Sequence, residues 1–325
     1  VEVSVLHRLQ SVFVAAAAVA GLAVGAWLPV GDVAGHLVLP LLLVMIAAVF
    51  AQLSASRLRE AGQARAVLVA SLVLNFVFTP ALAWALGAGL LGDVPDLRIG
   101  LLLLLVTPCT DWYLVFTAMA RGHGGIAAAL LPVNLVLQLF LLPLYVLLLG
   151  GEAAMVDAST LTEAVLIALV VPFALALAVR WAAQRTKGAA WRDRVVVGTA
   201  SAVVLPLLCL AVFAMFASQA ETVVDHSGQL IRLLVPLGVF FLVAPLMATA
   251  VAKVLKLPAD QRVTLTMVTT ARNSPIALAI AVAAFPDRPL IAVALVVGPL
   301  LELPILSLLA HIVRAPAPAE ARRSA

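Results

Sequence analysis

The chain reads as a run of long apolar windows broken by short polar stretches. Ten windows of roughly 20 residues are long enough to cross a bilayer as helices. They fall at 11–30, 36–55, 66–90, 98–120, 126–149, 161–181, 195–217, 231–252, 263–285 and 289–313. The pattern predicts an all-α polytopic membrane protein with ten transmembrane helices. Two windows carry polar breaks at their centres. The fourth holds Thr107-Pro108-Cys109-Thr110-Asp111 and the ninth holds Arg272-Asn273-Ser274-Pro275. A proline removes a backbone donor and clashes with the preceding turn, so both helices are expected to break there. Broken backbone at membrane depth is tolerated only where it lines a cavity or is buried in protein.

Intramembrane prolines recur in register. Pro40 pairs with Pro206, Pro80 with Pro245, Pro108 with Pro275 and Pro143 with Pro304, at offsets of 166, 165, 167 and 161 residues. One such match is uninformative, but four in order predict a duplicated five-helix unit. Five is odd, so the second copy enters the membrane from the opposite side, giving the inverted repeat of many secondary transporters. The expected organisation is a first repeat over 1–149, a linker over 150–160, a second repeat over 161–313 and a disordered C-terminal tail over 314–325. Helices 4 and 9 are expected to cross at their interruptions.

Composition agrees with the windows. The chain is 64% hydrophobic and 11% charged, against roughly 25% charged in soluble domains. The net charge of +4 is set by loop arginines, with no nucleic-acid footprint. Outside the spans, sixteen Lys and Arg residues fall on the side of the termini and three (Arg98, Arg232, Arg288) on the other. The positive-inside rule then places both termini in the cytoplasm of a multi-pass protein of the inner (plasma) membrane. Window 11–30 reads as a first span rather than a cleaved leader. Cys109 and Cys209 both lie within spans, which predicts neither a structural disulfide nor a multi-cysteine metal site. No P-loop, HExxH or nucleotide domain is present, and Arg121-Gly122-His123-Gly124-Gly125 reads as a turn. No cofactor and no enzymatic activity are expected.

The candidate chemistry gathers at the breaks. Asp111 and Arg272 flank them and form either a structural ion pair or, through Asp111, a proton or cation site. Cys109 is either a small buried hydrophobe or a thiol placed to meet a solute. Glu302, within Gly298-Pro299-Leu300-Leu301-Glu302-Leu303-Pro304, pairs with Arg272 or carries a proton. Asn75, Asn134 and Gln138 are hydrogen-bond glue or cavity lining. Cys209 reads as packing. Gly21 and Gly25 have the GxxxG spacing of a helix contact.

The Thr107-Pro108-Cys109-Thr110 break, the Ala271-Arg272-Asn273-Ser274-Pro275 break and the Leu301-Glu302-Leu303-Pro304 segment together resemble the bile acid/arsenite/riboflavin transporter superfamily. Within it the chain is most similar to the arsenical-resistance permeases. The resemblance covers nearly all of 5–313. It implies a panel domain, a core domain with crossing broken helices, Cys109 as the As(III) ligand and Glu302 as the essential carboxylate. Thr110, Asn273 and Ser274 would complete the substrate site, with Glu302 and Asp111 coupling to an ion, and with Pro108, Pro275, Arg272, Asn75, Asn134 and Gln138 framing the cavity. The implied function is export of arsenite, and of antimonite, in exchange for protons. The chain departs from the permease pattern at Asp111-Trp112-Tyr113 and at Ser274-Pro275-Ile276, where it is closer to bacterial relatives of the bile acid transporters. The alternative is a sodium-coupled symporter of an organic anion, with Asp111, Thr110, Asn134, Gln138, Asn273 and Ser274 as oxygen donors. A membrane sensor lacks an output domain, and an intramembrane enzyme lacks a nucleophile–base pair.

Overall fold

The computed structural model describes residues 10–52, 64–110, 112–150 and 158–316. Asp111, most of the 150–160 linker and the tail beyond 316 lie outside the described residues. So do the arginines at 8, 57, 59, 322 and 323. Among the described residues every regular element is helical. In chain order they are α1 (Gln10–Trp27), α2 (Gly31–Ala51), α3 (Arg65–Leu90), α4 (Pro95–Val106), α5 (Trp112–Met119), α6 (Gly124–Leu149) and α7 (Glu163–Lys187). There follow α8 (Ala189–Ser218), α9 (Ala220–Asp225), α10 (Ser227–Val254), α11 (Ala259–Thr270), α12 (Ser274–Ala284) and α13 (Pro289–Ile312).

Among these, α2, α3, α7, α8, α10 and α13 are six helices each long and apolar enough to cross a membrane. A seventh is α6, if its two halves are one span; they meet at 53° between Gln138 and Phe140. The bend has a cause in the sequence: the ring of Pro143 clashes with the carbonyl four residues back, at position 139. The fourth and ninth apolar windows are each two short helices, α4 with α5 and α11 with α12. Hydropathy alone draws each as one span because the break residues are few and flanked by apolar runs. The protein is an all-α, multi-pass membrane protein.

Proline and glycine set several ends. Pro95 and Pro289 open α4 and α13, where the missing N–H would be unpaired in any case. Gly188, at φ +86°, ends α7 in a conformation that side chains rarely adopt. Residues 121–123 form the turn between α5 and α6, and the His123 ring accepts from the Ile126 N–H to cap α6.

The helices pack in two groups. α1, α2, α7 and α8 form one, with α8 laid along both α1 and α2. α3, α4, α5, α6, α10, α11 and α13 form the other, with α4 against α3 and α13 and α10 against α11, and α12 lies between the two groups, against α2 and α7 as well as α4 and α13. The contact of α1 with α8 is unusually close: a Cβ on Gly21 or Gly25 would lie 2.3 Å from the Phe213 carbonyl oxygen or 2.2 Å from that of Ala217. The GxxxG spacing is therefore a real helix seam. Pro40 and Pro206 lie inside the packed pair α2 and α8.

Candidate functional site

The two breaks meet. Pro108 and Arg272 form an isolated antiparallel bridge. Across it the Asn273 N–H donates to the Thr107 carbonyl at 2.8 Å and the Cys109 N–H to the Ala271 carbonyl at 3.1 Å. Each interrupted helix thus supplies partners that the other's broken backbone lacks.

Several of the remaining helix-end groups also find partners. Pro108 cannot donate to the carbonyl four residues back, Leu104. The Thr107 hydroxyl lies 2.9 Å from that carbonyl and 2.9 Å from that of Leu103. The Leu105 carbonyl accepts from Arg272 Nη1 at 2.8 Å. At the end of α11, the Thr269 carbonyl accepts from Arg272 Nη2 at 2.5 Å. At the start of α12, Asn273 Oδ1 caps the Ile276 N–H at 3.2 Å, and Asn273 Nδ2 donates to Thr110 Oγ1 at 2.8 Å. Asn273 therefore joins the two break segments through its side chain as well as its backbone.

Arg272 is the hub. It is 1% exposed, and its guanidinium sits where the C-terminal ends of α4 and α11 converge, each carrying partial negative charge. It also donates from Nη2 to Asn75 Oδ1 at 2.7 Å and stacks 5.3 Å from the centre of the Phe240 ring. A helix end contributes about 0.3–1 kcal/mol to a nearby charge, up to ~2 in partly buried geometries. Desolvating an ion costs several kcal/mol. The dipoles alone do not hold the charge, so the hydrogen bonds and the aromatic face carry much of it. Glu302, 3% exposed, has the complementary place: its Oε1 accepts the Arg272 backbone N–H at 2.8 Å, just ahead of the positive end of α12.

Asn75 is aimed by a local distortion. Leu74–Phe78 form a π-helical turn directly before Pro80, and such turns leave a carbonyl out of the α-helical ladder. Pro80 has no N–H for the Phe76 carbonyl. The Tyr145 hydroxyl donates to it at 2.5 Å instead. Asn75 Nδ2 is held in turn by Ser71 Oγ at 3.2 Å.

The residues singled out from sequence fall into three sets. Arg272, Asn75, Glu302, Ser274 and Pro275 form one cluster. A cavity of about 10 Å³, lined by Leu208, Arg272, Ser274, Pro275, Pro299, Glu302 and Leu303, lies within it and is of about the size that admits one water. Pro108, Cys109, Thr110 and Asn273 form the second set, at the bridge itself, with Cys109 fully buried and not disulfide-bonded. Asn134 and Gln138 form the third. Both are 0% exposed on α6, and none of their four side-chain polar atoms has a hydrogen-bond partner among the described residues. Asp111 lies outside the described residues. Cys209 is half-buried on α8. Among the described residues no group of three His, Cys, Asp or Glu side chains is placed to hold a metal.

Thr107, Tyr145 and Phe240 have structural duties at the site that the sequence reading did not assign. For the first two a signal exists: each proline orphans the carbonyl four residues earlier, so Pro108 and Pro80 call for donors to residues 104 and 76. Nothing in the sequence marks Phe240.

A model of the Sodium Bile acid symporter family matches residues 39–226, more than half of the chain. The arsenical-resistance protein Acr3 of Corynebacterium glutamicum is 25% identical over 275 residues, 82% of this chain and 74% of that protein. The Acr3 protein of Alkaliphilus metalliredigens is 26% identical over 218 residues, 67% of this chain and 61% of that one. An uncharacterized transporter of Synechocystis is 27% identical over 214 residues, 66% of this chain and 56% of its own length. The matched stretches thus span less than two thirds of the latter two relatives.

Proposed function

The chain belongs to the Sodium Bile acid symporter family, whose members are secondary transporters and not enzymes, and from that premise we propose that it exports arsenite and antimonite in exchange for protons. The observation that carries this reading is the bridge between Pro108 and Arg272, with a buried thiol on one side and the Glu302 carboxylate on the other. Trivalent arsenic is thiophilic, and Cys109 is the soft ligand present at the break. Arsenous acid is neutral at physiological pH, so uphill export needs a second, charged species. Glu302 is the proton carrier in this reading. Thr110, Asn273 and Ser274 contact the solute, and Asp111 shares the coupling. Cys109 is sealed from solvent, so the cycle requires a rearrangement that opens the paired breaks. Similarity to two arsenical-resistance proteins supports the choice of substrate.

The same reading includes ten spans in two inverted repeats, 1–149 and 161–313, joined by 150–160, with broken helices 4 and 9 crossing at the site. The short pairs α4/α5 and α11/α12, and the shorter apolar helix α1, supply the spans beyond the long ones. Both termini are placed in the cytoplasm of a plasma membrane. On the opposite side each of the three arginines has an acceptor: Arg98 the Leu149 carbonyl, Arg232 the Asp93 carboxylate and Arg288 the Asp96 carboxylate.

The test is resistance of an arsenite-sensitive host expressing wild type, Cys109→Ser or Glu302→Gln. Wild type is expected to protect and both variants to fail. Absence of protection by wild type overturns the exporter reading. The alternative, a sodium-coupled symporter of an organic anion, is favoured by the amides of Asn134 and Gln138, unpartnered among the described residues, whose oxygens suit a hard cation. Sodium-dependent uptake by wild type, unaffected by Cys109→Ser, decides for it.

A further inference from the structure

We infer that the groove between α10 and α13, closed at one end by the start of α11, is a binding site for an anionic phospholipid. The groove has a volume of about 610 Å³. Its walls are apolar and face outward: Leu242 and Leu246 on α10 are 62% and 61% exposed, and Leu308 and Ile312 on α13 are 62% and 71% exposed. At 1.5 Å per residue, the wall from Ile305 to Ile312 is about 10 Å long, enough for the upper part of an acyl chain.

One end of the groove is different. Arg262 in the first turn of α11 and Arg314 just past the end of α13 both line it. Neither has an ion-pair partner among the described residues. The end of α10, the start of α11 and the end of α13 all lie on the side that carries the excess of basic loops, so the two guanidinium groups sit at headgroup level there. Basic pockets between transmembrane helices on that side suit anionic headgroups, with the stems of the arginines lying along apolar surface. A soluble anion would leave the apolar wall unused, and a zwitterionic lipid would bring a cation toward two arginines. An apolar chain bearing a phosphodiester satisfies both parts of the groove. The site is separate from the paired breaks and does not depend on the transported solute.

Native mass spectrometry of the full chain in detergent, with phosphatidylglycerol and phosphatidylcholine as probes, tests this. An arginine near a membrane surface contributes about a fivefold factor toward anionic lipid, so a preference of about tenfold or more for phosphatidylglycerol is expected. Arg262→Gln with Arg314→Gln is expected to abolish the preference, and Lys253→Gln with Lys256→Gln, on the same side but outside the groove, to keep it. Arg314→Gln alone, at an exposed position beyond the last helix, is expected to reduce it by about fivefold without touching a helix. Leu246→Trp, which fills the groove, is expected to lower retention of both lipids. Equal retention of the two lipids by wild type overturns the site, as does a preference that survives loss of both arginines. A preference that emerges only when residues 317–325 are removed also overturns it, because the groove's occupant is then the chain's own tail.

Discussion

The Arg272 backbone N–H donates to Glu302 Oε1 at 2.8 Å, while the guanidinium of the same residue donates to Asn75 Oδ1 at 2.7 Å. One residue thus ties α13 to the break through its main chain and α3 to it through its side chain. Substitutions at Glu302 separate structure from coupling. Glu302→Gln keeps an oxygen for the buried amide, so thermal unfolding is expected close to wild type. Glu302→Ala leaves that N–H unpaired, at about 1–3 kcal/mol. In everted membrane vesicles both variants are expected to lose proton-driven export. Wild-type export by Glu302→Gln across the pH range would remove Glu302 from the proton path.

Tyr145 and Pro80 are expected to behave as a coupled pair. Tyr145→Phe removes the donor to the Phe76 carbonyl and leaves a buried acceptor unpaired, a loss of about 1–3 kcal/mol. Pro80→Ala restores an N–H to the ladder at that level. In the double variant the loss from Tyr145→Phe is expected to shrink, giving an interaction energy of about 0.5 kcal/mol or more. Thermal denaturation of the four proteins closes the cycle. Strict additivity would mean that the π turn does not depend on this hydrogen bond.

These two cases mark how far the sequence could be read. The breaks at Pro108 and Pro275 were legible because proline acts on its own backbone. That they would meet was expected from the register of the intramembrane prolines, and the Pro108–Arg272 bridge joins them. The sequence left Glu302 as either a partner of Arg272 or a proton carrier, and did not show that its carboxylate would accept the Arg272 backbone N–H. The place of Asn75 was not legible, since it depends on the π turn in which it lies and on a tyrosine that reaches the Phe76 carbonyl from 69 residues along the chain. Nor was the backbone pairing of the two breaks, in which the Asn273 N–H bonds the Thr107 carbonyl and the Cys109 N–H that of Ala271. Hydropathy sums over a window, whereas a break is set by which carbonyls find donors.

The α1–α8 seam gives a packing prediction with an internal control. A Cβ at Gly21 or Gly25 meets backbone, not a movable side chain. Gly21→Ala and Gly25→Ala are each expected to force the helices apart, at about 1–3 kcal/mol. Gly198 on α8 has nothing within 4 Å of its would-be Cβ. There Gly→Ala adds helix propensity of up to about 1 kcal/mol and is expected to be neutral or stabilising. Thermal stability in detergent reads all three. Tolerance of Gly21→Ala and Gly25→Ala equal to that of Gly198→Ala would rule out the close contact.

Asn134 and Gln138 put stability and transport in opposition. Among the described residues their amides are buried without partners, and an unpaired buried polar group costs about 1–3 kcal/mol. A structural role would make that cost hard to retain, because leucine fits a similar volume on the same helix face. Asn134→Leu and Gln138→Leu are therefore expected to raise the thermal midpoint while abolishing transport. Sodium then separates the two coupling schemes. If these amides bind sodium in the folded state, the cation stabilises wild type by RT ln(1 + [Na⁺]/Kd), about 1.4 kcal/mol at ten times Kd, and stabilises neither leucine variant. Under proton coupling, exchanging sodium for potassium leaves the midpoint of all three proteins unchanged. A leucine variant that transports normally would instead place both amides outside the solute and ion path.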